Sequence, residues 1–194
     1  LPIERIAGLE ENWWGPAGDC GPCGPDTEVF YWKENSKPVP KLFDPNDKGW
    51  VEIWNNVFME YNKTKDGRFE QLKQKNIDTG LGVERVVMVL NGLDDVFKVE
   101  KIKEIYDFIK GLAKDKENER AIKIVTDHLR ASVFILADPR AVVPSNTDQG
   151  YVLRRFIRRA IRFGRLVGIE GSFCQLVGKK IIELYKEEYP QLEE

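Results

Sequence analysis

The spacing of hydrophobic and polar positions changes near residue 95. Before it, short runs rich in aromatic and β-branched residues, 28–32, 51–61 and 68–72, are separated by Pro, Gly, Asn and Asp, the pattern of strands linked by turns. Lys65-Asp66-Gly67 reads as a hairpin turn. After Asn76-Ile77-Asp78-Thr79 come Gly80 and Gly82, and then Val83, Val86, Val87 and Leu90 recur at helical spacing until Asn91-Gly92. A strand is therefore expected to run through a glycine turn into a helix. Beyond residue 95 the spacing is helical almost throughout, and helices are expected over 99–112, 119–136, 148–166 and 172–187. A longer loop is expected around Asp138-Pro139 and Val143-Pro144. The expected fold class is α+β, with an antiparallel sheet portion over 1–95 and a helical domain over 96–194.

Composition narrows the class without naming a partner. With 194 residues, 42% of them hydrophobic and 32% charged, the chain can bury a real core. Lys plus Arg number 30 against 32 Asp plus Glu, so any anion site must come from local clustering rather than bulk charge. No uncharged stretch approaches the roughly 18 apolar residues of a membrane span, and no membrane partner is expected. Charges at Glu4, Arg5, Glu10 and Glu11 interrupt the place where a signal peptide needs its apolar stretch, and three cysteines are too few for a secreted disulfide framework. The expected location is cytoplasmic. The chain begins at Leu1 rather than at methionine, and a missing N-terminal segment is expected.

Several constellations could carry chemistry. Cys20-Gly21-Pro22-Cys23 has the spacing of a thiol redox motif, but Gly24 and Pro25 follow at once, so the expected form is a rigid turn. A zinc site would need two further ligands, and none is expected. His128, the only histidine, falls in a helix with an apolar face of Ile122, Val125, Leu129, Val133 and Leu136, which favours a structural role. Over Asn76 to Arg85 the chain joins Asp78, a carboxylate suited to an ammonium group, to Gly80, Gly82 and Arg85. An arginine beside a helix N-terminus suits phosphate or a purine face. In the helix expected over 148–166, six of the twelve arginines of the chain lie between Arg154 and Arg165, with no acidic residue between Asp148 and Glu170. Such a face favours phosphate contacts.

Taken in order, Trp14 with Gly21-Pro22-Cys23-Gly24-Pro25, Glu52-Ile53-Trp54-Asn55-Asn56-Val57-Phe58-Met59, Asn76 through Arg85, Asp127-His128-Leu129-Arg130, Pro144-Ser145-Asn146 and Gly150-Tyr151-Val152-Leu153-Arg154-Arg155 with Arg158-Arg159-Ala160 resemble the alanyl-tRNA synthetase family. The resemblance implies a class II ligase that activates alanine with ATP and passes it to the 3′ end of its tRNA. It implies that Asp78 grips the alanine ammonium and Asn55 its carboxylate, and that Trp14, Val57 and Gly80 wall the methyl pocket. Arg85 would be the motif 3 arginine that meets ATP, with Gly82 beside it, and Glu28 would hold magnesium. Asn146 matches the asparagine that contacts a G·U pair at the third position of the acceptor stem, with Arg154, Arg155, Arg158, Arg159 and Arg162 beside it on the tRNA. Residues 1–95 would be the second half of the catalytic core and 96–194 part of the tRNA-recognition domain.

Motifs 1 and 2 of the family would lie N-terminal to Leu1, so adenylate formation is expected to need that segment, in the same or a separate chain. The rival reading is a non-catalytic RNA-binding module derived from such a synthetase. Thr147-Asp148-Gln149 stands where the family more usually has Glu-Gly-Arg.

Overall fold

The computed structural model describes residues 1–140 and 142–193; Ala141, within the loop expected around 138–144, lies outside them. The described residues form two compact units, Leu1–Val96 and Phe97–Glu194.

The first unit is a four-stranded antiparallel sheet in the order β1-β2-β3-β4, built from Trp13–Trp14, Gly21–Trp32, Trp50–Lys63 and Phe69–Leu81, and followed by helix α1, Val83–Leu90. The hairpin between β3 and β4 closes where the sequence implies. The Gly67 N–H donates to the Thr64 carbonyl at 2.9 Å, and the Thr64 N–H donates to that of Arg68 at 2.8 Å. Gly67 holds a φ of +84°, a value that only glycine takes without cost. At the far end of β2 and β3 an aromatic group forms, Trp32 edge-on to Trp50 at 5.3 Å and Phe43 between Phe30 and Trp50.

Two expectations for this unit need correction. The Gly21 to Pro25 segment is not a free turn but the start of β2, with Trp13 opposite Pro25 and Trp14 opposite Gly24. The prolines are tolerated because β1 covers only two residues of that edge and because the β2–β3 register shifts between Cys23 and Asp26, and edges and bulges are where strands accept proline. Cys23 is buried and Cys20 exposed, and both thiols are free. Since no helix begins there, no helix N-terminus activates either thiol. The second correction concerns Gly80, which lies within β4 rather than in a turn; the strand ends at Leu81 and Gly82 caps α1.

The second unit is helical: α2 Glu100–Leu112, α3 Glu119–Leu136, α4 Asp148–Leu166 and α5 Phe173–Tyr185, within a residue or two of the expected spans. Each helix turns an apolar stripe inward. The buried core joins Ile105 and Ile109 of α2, Ile122, Val125 and Leu129 of α3, Ala160 of α4, and Phe173, Val177 and Ile181 of α5. Asn118 caps α3 by accepting from the Ala121 N–H at 3.2 Å. Among the described residues no helix is long and apolar enough to cross a membrane.

Gly24 offers a test of the strand assignment. A Cβ built there would lie 1.9 Å from the Phe58 carbonyl oxygen, so Gly24→Ala must push β2 away from β3. A loss of about 1–3 kcal/mol is expected in urea unfolding of the chain. Gly15→Ala, with open space around it, should stay within about 0.5 kcal/mol of the parent.

Candidate functional site

Residues two apart on a strand share a face, and the β3–β4 register uses this to assemble a site. Asn55 stands opposite Gly80 and Val57 opposite Asp78, so four of the candidate alanine residues occupy two consecutive rungs on one face. The same rungs extend into β2, where Glu28 faces Asn55 and Asp26 faces Val57. The Gly80 rung is tight: a Cβ at Gly80 would lie 2.8 Å from Asn55 Oδ1. Glycine there gives the Asn55 amide room to lie across the neighbouring strand. Trp14 stands on the edge strand β1, with β2 between it and β3.

Glu52 has no role in the sequence reading, and the structure puts it between the two ends of this site. In a regular strand Glu52 and Asn55 would point to opposite faces. The β2–β3 register shifts, however, because Val29 opposes Trp54 while Phe30 opposes Glu52, leaving Ile53 as an extra residue. That bulge turns Glu52 toward Asn55, whose Nδ2 donates to Glu52 Oε1 at 3.1 Å. Arg85, in the first turn of α1, reaches the same residue: its Nη1 donates to the Glu52 carbonyl at 2.8 Å and lies 3.5 Å from Oε2. A Cβ on Gly82 would come within 3.1 Å of the Arg85 side chain, so this glycine gives the arginine its path over the sheet. The pair is half-exposed and contributes little stability; its effect is to orient the guanidinium and the amide.

The opposite face holds the register. The Trp54 indole N–H donates to the Thr79 hydroxyl, which lies 3.1 Å from both the Asn55 carbonyl and Asn56 Oδ1.

The acidic side of the site is electrostatically poised for a cation. Partial desolvation, then the charge of Glu52, then that of Asp26, hold the Glu28 carboxyl above its ordinary value. Among the described residues no group of three or more His, Cys, Asp and Glu side chains is placed to hold a metal ion. Glu28 and Glu52 are neighbouring carboxylates, an incomplete oxygen set that would leave magnesium to be completed by water and phosphate oxygens rather than held by the protein alone.

In the second unit the loop before α4 is folded back onto the helix. The Ser145 N–H donates to the Gly150 carbonyl at 3.0 Å, and the Ser145 hydroxyl donates to the Thr147 carbonyl at 2.7 Å. A Cβ on Gly150 would lie 2.4 Å from both Ser145 Oγ and the Val143 carbonyl oxygen. Asp148 holds a φ of +51°, in the left-handed region, where the family more usually has glycine. Asn146 is exposed beside these residues. Arg155, Arg158, Arg159 and Arg162 are exposed on α4. Arg155 lies over the Tyr151 ring at 5.8 Å and Arg159 over the Phe163 ring at 5.5 Å. His128 packs against Phe156 at 5.0 Å between ring centroids, its Nδ1 2.9 Å from Asp127 Oδ2.

An antiparallel sheet with a carboxylate and an amide on one face, an arginine in the helix that follows it, and then along the chain a helical unit with an arginine-lined helix, is in keeping with a class II aminoacyl-tRNA synthetase. The family model of the class II tRNA synthetases (A) matches residues 1–194, and the chain belongs to that family. Its relatives include the alanine--tRNA ligase of Borrelia hermsii, 43% identical over 202 aligned residues covering all of this chain. Those of Treponema denticola and Treponema pallidum are 44% and 43% identical over 95% of it. The chain spans about a third of their length, 34%, 32% and 31% respectively.

Two measurements probe these environments. A carboxyl whose folded pKa is raised costs stability once it ionises and costs nothing when protonated. Glu28→Gln should therefore raise the melting temperature at pH 7–8 and leave it unchanged below its ordinary value of 4.5. At Asp148, glycine would relieve the left-handed strain but add chain entropy, so Asp148→Gly should stay within about 0.5 kcal/mol. Asp148→Val keeps the strain and adds β-branching, and should cost about 1–2 kcal/mol in the same unfolding assay.

Proposed function

We propose that the chain is part of an alanine--tRNA ligase, a cytoplasmic enzyme that activates alanine with ATP and transfers it to the 3′ end of alanine tRNA. The first unit supplies the later part of the catalytic core and the second unit part of the tRNA-recognition domain. The observation that carries the reading is the two-rung patch of Asn55, Val57, Asp78 and Gly80, joined through Glu52 to Arg85.

In this reading Asp78 holds the alanine ammonium, and the free N–H of the Asn55 amide holds its carboxylate. Val57, Trp14 and the close-packed Gly80 rung bound the methyl group. A wall of this kind excludes larger side chains sterically and discriminates weakly against serine. Arg85, guided by Gly82, faces the ATP phosphates and adenine, where a guanidinium stabilises the charge that shifts onto pyrophosphate as the carboxylate attacks the α-phosphate. Glu28 and Glu52 would hold magnesium, which would screen the phosphate charge when bound. Transfer of alanine then requires the acceptor stem, which the Asn146 loop and the exposed arginines of α4 contact. A segment of the catalytic core preceding Leu1 completes the ATP site.

Pyrophosphate exchange in the complete enzyme tests the pocket. Asp78→Asn should raise the alanine KM and lower kcat/KM for alanine by about tenfold or more, since it removes the charge that would face the ammonium while keeping shape, and should leave the ATP KM within about threefold. Arg85→Ala should show the reverse pattern. An unchanged alanine kcat/KM for Asp78→Asn would overturn the assignment and leave the RNA-binding module as the better reading.

A further inference from the structure

We infer that Arg154 is a positioning residue for Asn146, setting which edge of its amide faces the RNA, rather than one more phosphate contact on α4. The inference rests on the reading of Asn146 as an acceptor-stem contact. Three observations separate Arg154 from its neighbours. Arg155, Arg158, Arg159, Arg162 and Arg165 are exposed, whereas Arg154 is half-buried. Its Nη1 donates to Asn146 Oδ1, across the closed loop and into the segment that would meet the stem. That loop is fixed at both ends, by the Ser145 N–H to the Gly150 carbonyl and by the Tyr151 N–H to the Thr147 carbonyl, each at 3.0 Å. The Asn146 backbone is thereby set, and the remaining freedom is the amide flip.

A guanidinium carries five N–H donors and no acceptor, so whichever amide edge faces Arg154 must be the oxygen. The charge-assisted bond makes this orientation much preferred over the flipped one. The Asn146 Nδ2 hydrogens are then the groups left for a ligand. They can read an acceptor in the shallow minor groove of an A-form stem, a pyrimidine O2 or a purine N3. The wobble of a G·U pair shifts the pyrimidine O2 away from its place in a G·C pair, so a donor held in one orientation separates the two pairs by position. An asparagine free to flip could also turn its oxygen to the guanine 2-amino group, which both pairs present, and would distinguish them poorly. Arg154 thus converts an amide that can both donate and accept into one that only donates, and base-pair selectivity at this point depends on both residues.

The test is a mutant cycle in the complete synthetase, with aminoacylation kcat/KM measured on two tRNAs that differ only in a G·U or a G·C pair at the third position of the acceptor stem. Asn146→Ala should lower the ratio between them by about tenfold or more. Arg154→Ala should lower it to within threefold of the same value, and the double variant should lower it no further. Arg154→Lys, which keeps a donor and the charge, should restore most of the ratio. Arg158→Ala should instead weaken both tRNAs alike and flatten the salt dependence, as loss of a phosphate contact does. If Arg154→Ala and Arg154→Lys both weaken the two tRNAs equally and keep the ratio, Arg154 is a phosphate contact and the inference fails while the Asn146 reading stands. Additive losses in the double variant would also overturn it. A ratio unchanged by Asn146→Ala would remove the reading itself and the inference with it.

Discussion

The register between β3 and β4 is the constraint on which the first unit depends. Because side chains alternate across a strand, a slip of one residue would send Asn55, Val57, Asp78 and Gly80 to the other face. The apolar Trp54, Phe58 and Ile77 would take their places. Three local features prevent it. Thr64 and Gly67 close the hairpin, the Trp54 indole and the Asn56 amide converge on Thr79 from the back of the sheet, and Gly80 alone leaves space for the Asn55 amide on the front. The back face therefore fixes what the front face presents, and a substitution at Thr79 acts on the patch without touching it.

The same economy of space recurs where chemistry is expected. The bulge at Ile53 lets Glu52 meet both Asn55 and Arg85, so the carboxylate that orients the amide also orients the guanidinium. The two groups read as belonging to alanine and to ATP are thus coupled through one side chain. Since that side chain is half-exposed, the coupling is geometric more than energetic. In the second unit the loop before α4 folds onto Gly150 in a comparable way, and α4 divides its arginines between one that holds the loop and others that face outward.

Much of the fold was legible from residue spacing. The helical periods after residue 95 place α2 to α5 within a residue or two, because an amphipathic helix repeats its apolar positions over many turns and each repeat supports the next. The Lys65-Asp66-Gly67 turn was equally plain, since few residues accept a left-handed φ. The strands were harder. Prolines 22 and 25 and the glycines around them read as a turn, and only the short β1 strand and the bulge beside Gly24 make them part of β2. Gly80 read as a turn glycine for the same reason: sequence shows that a residue lacks a side chain but not which neighbour needs the space.

The sequence by itself determined the two-part organisation, the order of the elements, the family to which the chain belongs, and the residue types available for chemistry, all of which rest on local periodicity and on motifs read along the chain. Tertiary structure alone decided that Asn55 and Val57 share rungs with Gly80 and Asp78, that Glu52 joins them to Arg85 against the usual alternation of a strand, and that Arg154 turns back onto Asn146 while its neighbours face outward. These are pairings across 25 and 21, 33 and 8 residues of chain between partners whose meeting is set by register, bulges and loop closure. No local pattern encodes them, because each depends on where two separately formed segments stop sliding past one another.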